Sequence, residues 1–134
     1  MAIQIGTINV IDNSRNVSAG VITGTTLRDT DGNLRAIPEN AKAAGYALTV
    51  GDIGKYIDST AGGITINTGV FSAGDAVSIY NNSGTATTVT PSNGVLLRLA
   101  GTATTGPRYI AQRGLITVLC VTSNEFVSIG AGLT

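Results

Sequence analysis

Leu115-Ile116-Thr117-Val118-Leu119-Cys120-Val121 is the stretch whose reading decides the fold. Its apolar residues fall on odd and even positions alike, the pattern of a central strand covered on both faces. Upstream, Ala76-Val77-Ser78-Ile79-Tyr80-Asn81 alternates instead. Val77, Ile79 and Asn81 share one face, while Ser78 and Tyr80 take the other. Working outward, the same criteria predict strands at 46–50, 55–58, 63–67, 76–81, 86–90, 95–100, 115–122 and 125–129. Between them stand the turn signals Gly62-Gly63, Ser72-Ala73-Gly74-Asp75, Asn81-Asn82-Ser83-Gly84, Ser92-Asn93-Gly94 and Ser123-Asn124. Short strands at this spacing, with no strand–helix alternation, predict an all-β chain whose residues 46–134 form an antiparallel β-sandwich or small barrel.

Residues 1–40 read differently. Apolar residues are sparse there: Ile3, Ile5, Ile8, Val10 and Ile11, then Val17, Val21, Ile22 and Leu27. Ile3-Gln4-Ile5 suits an extended strand, Asp12-Asn13-Ser14 a turn, and residues 25–35 a hairpin about Asp31-Gly32. Such an extended strand and hairpin arm buries little by itself, so it is expected to anchor or oligomerise the protein. The one helical candidate is 38–47, rich in alanine and ended by Gly45.

Composition narrows the function. The chain has 134 residues, is 43% hydrophobic and only 12% charged, and carries zero net charge. A usual domain is about 25% charged. Without a long-range field, nucleic acid and membrane surfaces are poor partners. A surface so poor in charge is weakly protected against self-association, which fits one covered by other subunits. Cys120 is the single cysteine, so no intrachain disulfide framework exists. The start, Met1-Ala2-Ile3-Gln4-Ile5-Gly6, lacks the basic end and apolar run of a secretory signal, and synthesis in the cytoplasm is expected.

Reactive chemistry finds little material. Histidine is absent, removing the commonest general base and metal ligand. Cys120 lies within the apolar strand with no basic neighbour in sequence, so a buried structural thiol outweighs a nucleophile. Asp29-Thr30-Asp31-Gly32-Asn33 superficially resembles the opening of a calcium loop. Its glycine comes fourth, however, and Asn40 stands where a bidentate glutamate is required, so a hairpin turn is the better reading. Asp12, Asp52, Asp58, Asp75 and Glu125 are scattered, mostly beside turn residues where a carboxylate caps its own backbone. No catalytic residue, metal or cofactor is expected. Arg98, Arg108 and Arg113 remain, the last two in a turn-rich span read as a contact loop toward a neighbouring subunit. Tyr46, Tyr56, Tyr80 and Tyr109 could form a sugar-binding platform, although tyrosines in strands more often pack.

Several runs carry a family resemblance. Gly54-Lys55-Tyr56-Ile57, the segment from Val70 to Ser83, Leu99-Ala100-Gly101-Thr102-Ala103-Thr104-Thr105-Gly106, Ala111-Gln112-Arg113-Gly114 and Gly130-Ala131-Gly132-Leu133-Thr134 resemble a module of bacteriophage tail-fibre and related virion proteins. Val10-Ile11-Asp12-Asn13-Ser14-Arg15-Asn16-Val17 is similar to a segment that often precedes that module. The resemblance implies a β-rich, trimeric, surface-exposed module without catalytic residues. No long shaft separates the two motifs, so a capsid decoration (cement) protein is as compatible as a short tail fibre. The expectation is therefore a non-enzymatic structural protein of the virion, assembled in the host cytoplasm. Its expected partners are sister subunits and major capsid or tail proteins, through Ile3, Ile5, Ile8, Val10, Ile11, Arg108 and Arg113. A host-receptor or carbohydrate-binding module, with a surface glycan as partner, is the alternative.

Overall fold

The computed structural model describes Gln4–Ile5, Ile8–Asn9, residues 28–30, Gly32–Asn33 and residues 36–134. Two short hairpins come first. Strands β1 (Gln4–Ile5) and β2 (Ile8–Asn9) pair antiparallel, as do β3 (Arg28–Asp29) and β4 (Gly32–Asn33). The second hairpin is the one expected about Asp31-Gly32, with its loop one residue earlier because Asp29 pairs with Gly32. The turn expected at Asp12-Asn13-Ser14 lies outside the described residues.

All remaining strands join one nine-stranded sheet. They are β5 (Glu39–Lys42), β6 (Tyr46–Ala47), β7 (Tyr56–Ser59), β8 (Ile64–Ile66), β9 (Ala76–Asn81), β10 (Thr87–Pro91), β11 (Leu96–Leu99), β12 (Arg108–Thr122) and β13 (Glu125–Leu133). Their spatial order is β5-β7-β9-β12-β10-β8-β6, with β13 beside β12 and β11 beside β13. Successive strands thus alternate between two wings, and each return crosses from one wing to the other. That path makes β5, β7 and β9 parallel to one another, and likewise β6, β8 and β10. β12 runs against both wings, through Val118↔Val77 on one and Thr88↔Tyr109 on the other. The expected all-β architecture is present, wrapped into a nearly closed barrel-like form. Its pairing is mixed rather than purely antiparallel, because strands adjacent in sequence rarely lie adjacent in space.

The inner faces meet in one core. Ile57, Ile64, Ile66, Val77, Ile79, Val89, Leu97, Ile110, Ile116, Val118 and Phe126 are buried, each alternating with an outward residue. Fully burying such a side chain contributes about 1.5–3 kcal/mol. Phe71 meets Phe126 edge to face at 5.8 Å within this core.

Three sequence expectations need correction. Glu39–Lys42, expected to be helical, is strand β5, because parallel pairing along β7 outweighs alanine's helix preference. The sheet accordingly begins ahead of Tyr46. The turn-rich span around Arg108 is the first half of β12. Finally, Leu115–Val121 is central in pairing, between β9 and β13, yet only its Ile116, Val118 and Cys120 face is covered. Leu115, Leu119 and Val121 are exposed, since no second layer of described residues lies over that side.

Two polar clusters hold the connections. Asn81 is fully buried: its Nδ2 donates to the carbonyls of Thr85 (2.7 Å), Ile110 (2.8 Å) and Ala111 (3.1 Å). Its Oδ1 accepts from Ser83 N, Ser83 Oγ and Thr87 Oγ1. One side chain therefore fixes the β9–β10 turn against β12. Asp52, in a single 3-10 turn at Val50–Asp52, accepts from Asn40 Nδ2 (2.6 Å), Tyr46 Oη (3.0 Å), Thr49 N (2.7 Å) and Thr49 Oγ1 (3.0 Å).

Candidate interaction face

Pleating sends every second residue of β5, β7, β9, β12 and β13 to the outer face, where cross-strand partners line up in rows. One row runs Ala41, Asp58, Tyr80, Leu115 and Ala131; the next runs Glu39, Tyr56, Ser78, Thr117 and Ile129. Further along lie Leu119, Val127 and Arg98, then Leu96 on β11. Leu96, Leu115, Leu119, Val121 and Ile129 are between 37% (Val121) and 62% (Ile129) exposed. Single exposed apolar side chains are ordinary, whereas a contiguous set on paired strands is a candidate interaction surface. At this end of the face Arg98 Nε lies 2.5 Å from Glu125 Oε1.

At the β5 side the face is concave. Ile37, Tyr56, Ser78, Tyr80 and Leu115 line a groove of about 340 Å³. Arg113 Nη1 donates to the Tyr80 hydroxyl (3.3 Å) and to Asn82 Oδ1. Asn82 Nδ2 in turn donates to Asp58 Oδ2 (3.2 Å), while Asp58 Oδ1 has no partner among the described residues. Ser78 Oγ lies 3.0 Å from Thr117 Oγ1. Desolvation, then the charges of Glu39 and Asp58 and a hydrogen bond with Glu39, raise the Tyr56 hydroxyl above its ordinary value. It stays a neutral donor through the physiological range. The Tyr80 ring is thus held at its hydroxyl end by Arg113.

The arginines expected to make assembly contacts part company. Arg108 is not on the surface: it is 5% exposed, because alternation with Ile110 along β12 turns it inward. Its Nη2 donates to the carbonyls of Thr104 (2.6 Å) and Leu97 (3.4 Å), tying the 100–107 loop to the body. Arg113 is exposed as expected, with φ of 64°, in the bulge where residues 111–114 interrupt the register between Ile110↔Leu133 and Leu115↔Ala131. Ile5 and Ile8 lie in β1 and β2; Ile3, Val10 and Ile11 lie outside the described residues.

Other candidates are structural. Cys120 is buried, donates to the Thr122 carbonyl (3.1 Å), and its thiol is pushed up by burial and by Asp75. Asp75 caps its own turn through Ser72 N. Of the four tyrosines, only Tyr56 and Tyr80 come together; Tyr46 serves Asp52 and carries Lys42 Nζ 4.1 Å from its ring centre. Among the described residues no three His, Cys, Asp or Glu side chains gather to hold a metal. Sequence reasoning missed the Asn81 cluster, whose only signal was an asparagine at an inward position of an alternating strand. Comparison of the chain with protein-family models, curated proteins and solved structures gives no match.

Proposed function

We propose that this protein is a non-enzymatic structural component of a bacteriophage particle, a capsid decoration or short tail-fibre protein that assembles as a homotrimer. The observation that carries the reading is the run of uncovered apolar side chains along β12, β13 and β11: Leu96, Leu115, Leu119, Val121 and Ile129. A stable obligate interface buries more than about 2,000 Å² and is rich in such residues. The run lies on the most heavily paired strands, so covering it requires no rearrangement of the fold. The trimeric state and the phage setting follow the sequence resemblance, and partners are sister subunits and other virion proteins. The buried, inert state of Cys120 and the capping roles of Asp52 and Asp75 agree with a scaffold.

Placing charge on the face tests this reading. The unaltered protein is expected to show a trimer mass by light scattering, and Leu119→Asp combined with Ile129→Asp a monomer mass with unchanged circular dichroism. A wild-type chain that stays monomeric at high concentration would remove the homotrimer. Absence of the chain from purified particles by mass spectrometry would remove the virion.

A further inference from the structure

We infer that the apolar groove at the β5 side of the outer face receives the β1–β2 hairpin of a sister subunit. Such docking rests on the proposed self-assembly and names the segment that fills one part of its contact. Three observations point to this occupant. First, the groove calls for aliphatic side chains. It is lined by Ile37, Tyr56, Ser78, Tyr80 and Leu115. The Tyr80 hydroxyl is engaged by Arg113, and Ser78 Oγ lies 3.0 Å from Thr117 Oγ1, so little polar demand is left toward a partner. The hairpin supplies the match in its register: Ile5 stands opposite Ile8 and Gln4 opposite Asn9, so apolar and polar pairs alternate along it. In the sequence, Ile3 and Val10 repeat the apolar position two residues further out. Among the described residues β1 and β2 pair with each other and not with the nine-stranded sheet. A lone two-stranded hairpin is marginal in water, so this one gains from a surface to cover.

Second, the arm joins the body at the groove itself, since Ile37 is one of its walls. Residues 10–36 separate the hairpin from that point, and fully extended they reach about 90 Å. A body of this size is only about 30 Å across. Even with the β3–β4 hairpin folded within it, the tether carries β1 and β2 beyond their own subunit. Third, Leu115 belongs both to the groove and to the uncovered run along β12 and β13. A sister subunit that covers the run is thereby brought to the mouth of the groove, and its hairpin extends the same contact onto β9 and β7. Passed head to tail around a three-fold axis, each hairpin is used once and each groove filled once, which closes the assembly.

Paired cysteines test the docking, because Cys120 is buried and out of reach of an oxidant. Full-length chains carrying Ile5→Cys are co-expressed with full-length chains carrying Leu115→Cys, treated with diamide and run on a non-reducing gel. Ile8→Cys is tested in parallel, so that the outcome does not hang on one side-chain direction. A two-chain product is expected, about tenfold or more above that with Val50→Cys, which is also exposed but lies outside the groove. The double variant Ile5→Cys, Leu115→Cys is expected to link into three-chain products. A double variant that links only within its own chain overturns the docking, by placing the hairpin on its own body. So does a sample that is trimeric by light scattering yet yields no product from either hairpin cysteine. In that case the trimer stands and the hairpin's place in it falls, whereas a monomeric unaltered protein removes both.

Discussion

Four donors converge on Asp52, and that convergence turns its charge into a stability term. Burial alone would raise this carboxyl, but the Thr49 backbone N–H and the side chains of Asn40, Tyr46 and Thr49 outweigh it and hold the group below 3.8. The folded protein therefore prefers the ionised form more than the unfolded chain does. The resulting stabilisation is complete above the unfolded value and is lost as pH falls through the lower, folded one. Asp52→Asn, which sets an amide N–H against these donors, is expected to lower unfolding free energy by about 1–3 kcal/mol at pH 7. Urea titrations should show that deficit narrowing below about pH 4. An undiminished deficit at low pH would show that shape, not charge, is what matters at this position. A capping carboxylate beside Gly51 was legible in the sequence, because acids next to turn residues commonly serve the local backbone. Its long-range partner Asn40 was not, since nothing local says that β5 will lie alongside.

Elements were legible where burial alternates and obscure where pairing overrides local preference. Ala76–Asn81 reads directly, its inward Val77, Ile79 and Asn81 being buried and Ser78 and Tyr80 half-buried. Glu39–Lys42 does not, as Glu-Asn-Ala-Lys has no strand character and becomes one only beside Tyr56–Ser59. Arg108–Thr122 was half hidden by the turn residues Gly106, Pro107 and Gly114, because a bulge resembles a loop in sequence. Beyond the bulge, where Gly130 of the partner strand stands opposite Ile116, the two backbones lie close. A Cβ at Gly130 would lie against the Leu115 carbonyl and 2.5 Å from Ile116 Cα, backbone that has no room to yield. Gly130→Ala should therefore cost about 1–3 kcal/mol or more. Gly84→Ala, which meets nothing within 4 Å, should stay within about 0.5 kcal/mol. Thermal unfolding of the pair checks the contrast.

At the scale of the whole molecule, the buried apolar core among the described residues runs from Leu48 to Phe126. Deleting residues 1–24 is accordingly expected to leave circular dichroism and melting temperature close to those of the full chain, while incorporation into particles is lost. A product that fails to fold would show that the arm belongs to the body. The sequence foresaw an apolar surplus in search of a neighbour but located it only in the arm. It misjudged β12, since apolar residues on both faces cannot say whether a layer of the same chain or another molecule covers the second one. The position of that strand carries a consequence for biosynthesis. Both wings end on β12, β10 along its first residues and β9 along its second half, and β12 does not begin until Arg108. On the ribosome, every earlier strand emerges before the one that joins the halves. A nascent or prematurely released chain thus exposes two sticky borders at once, and completion of translation is what protects it from aggregation.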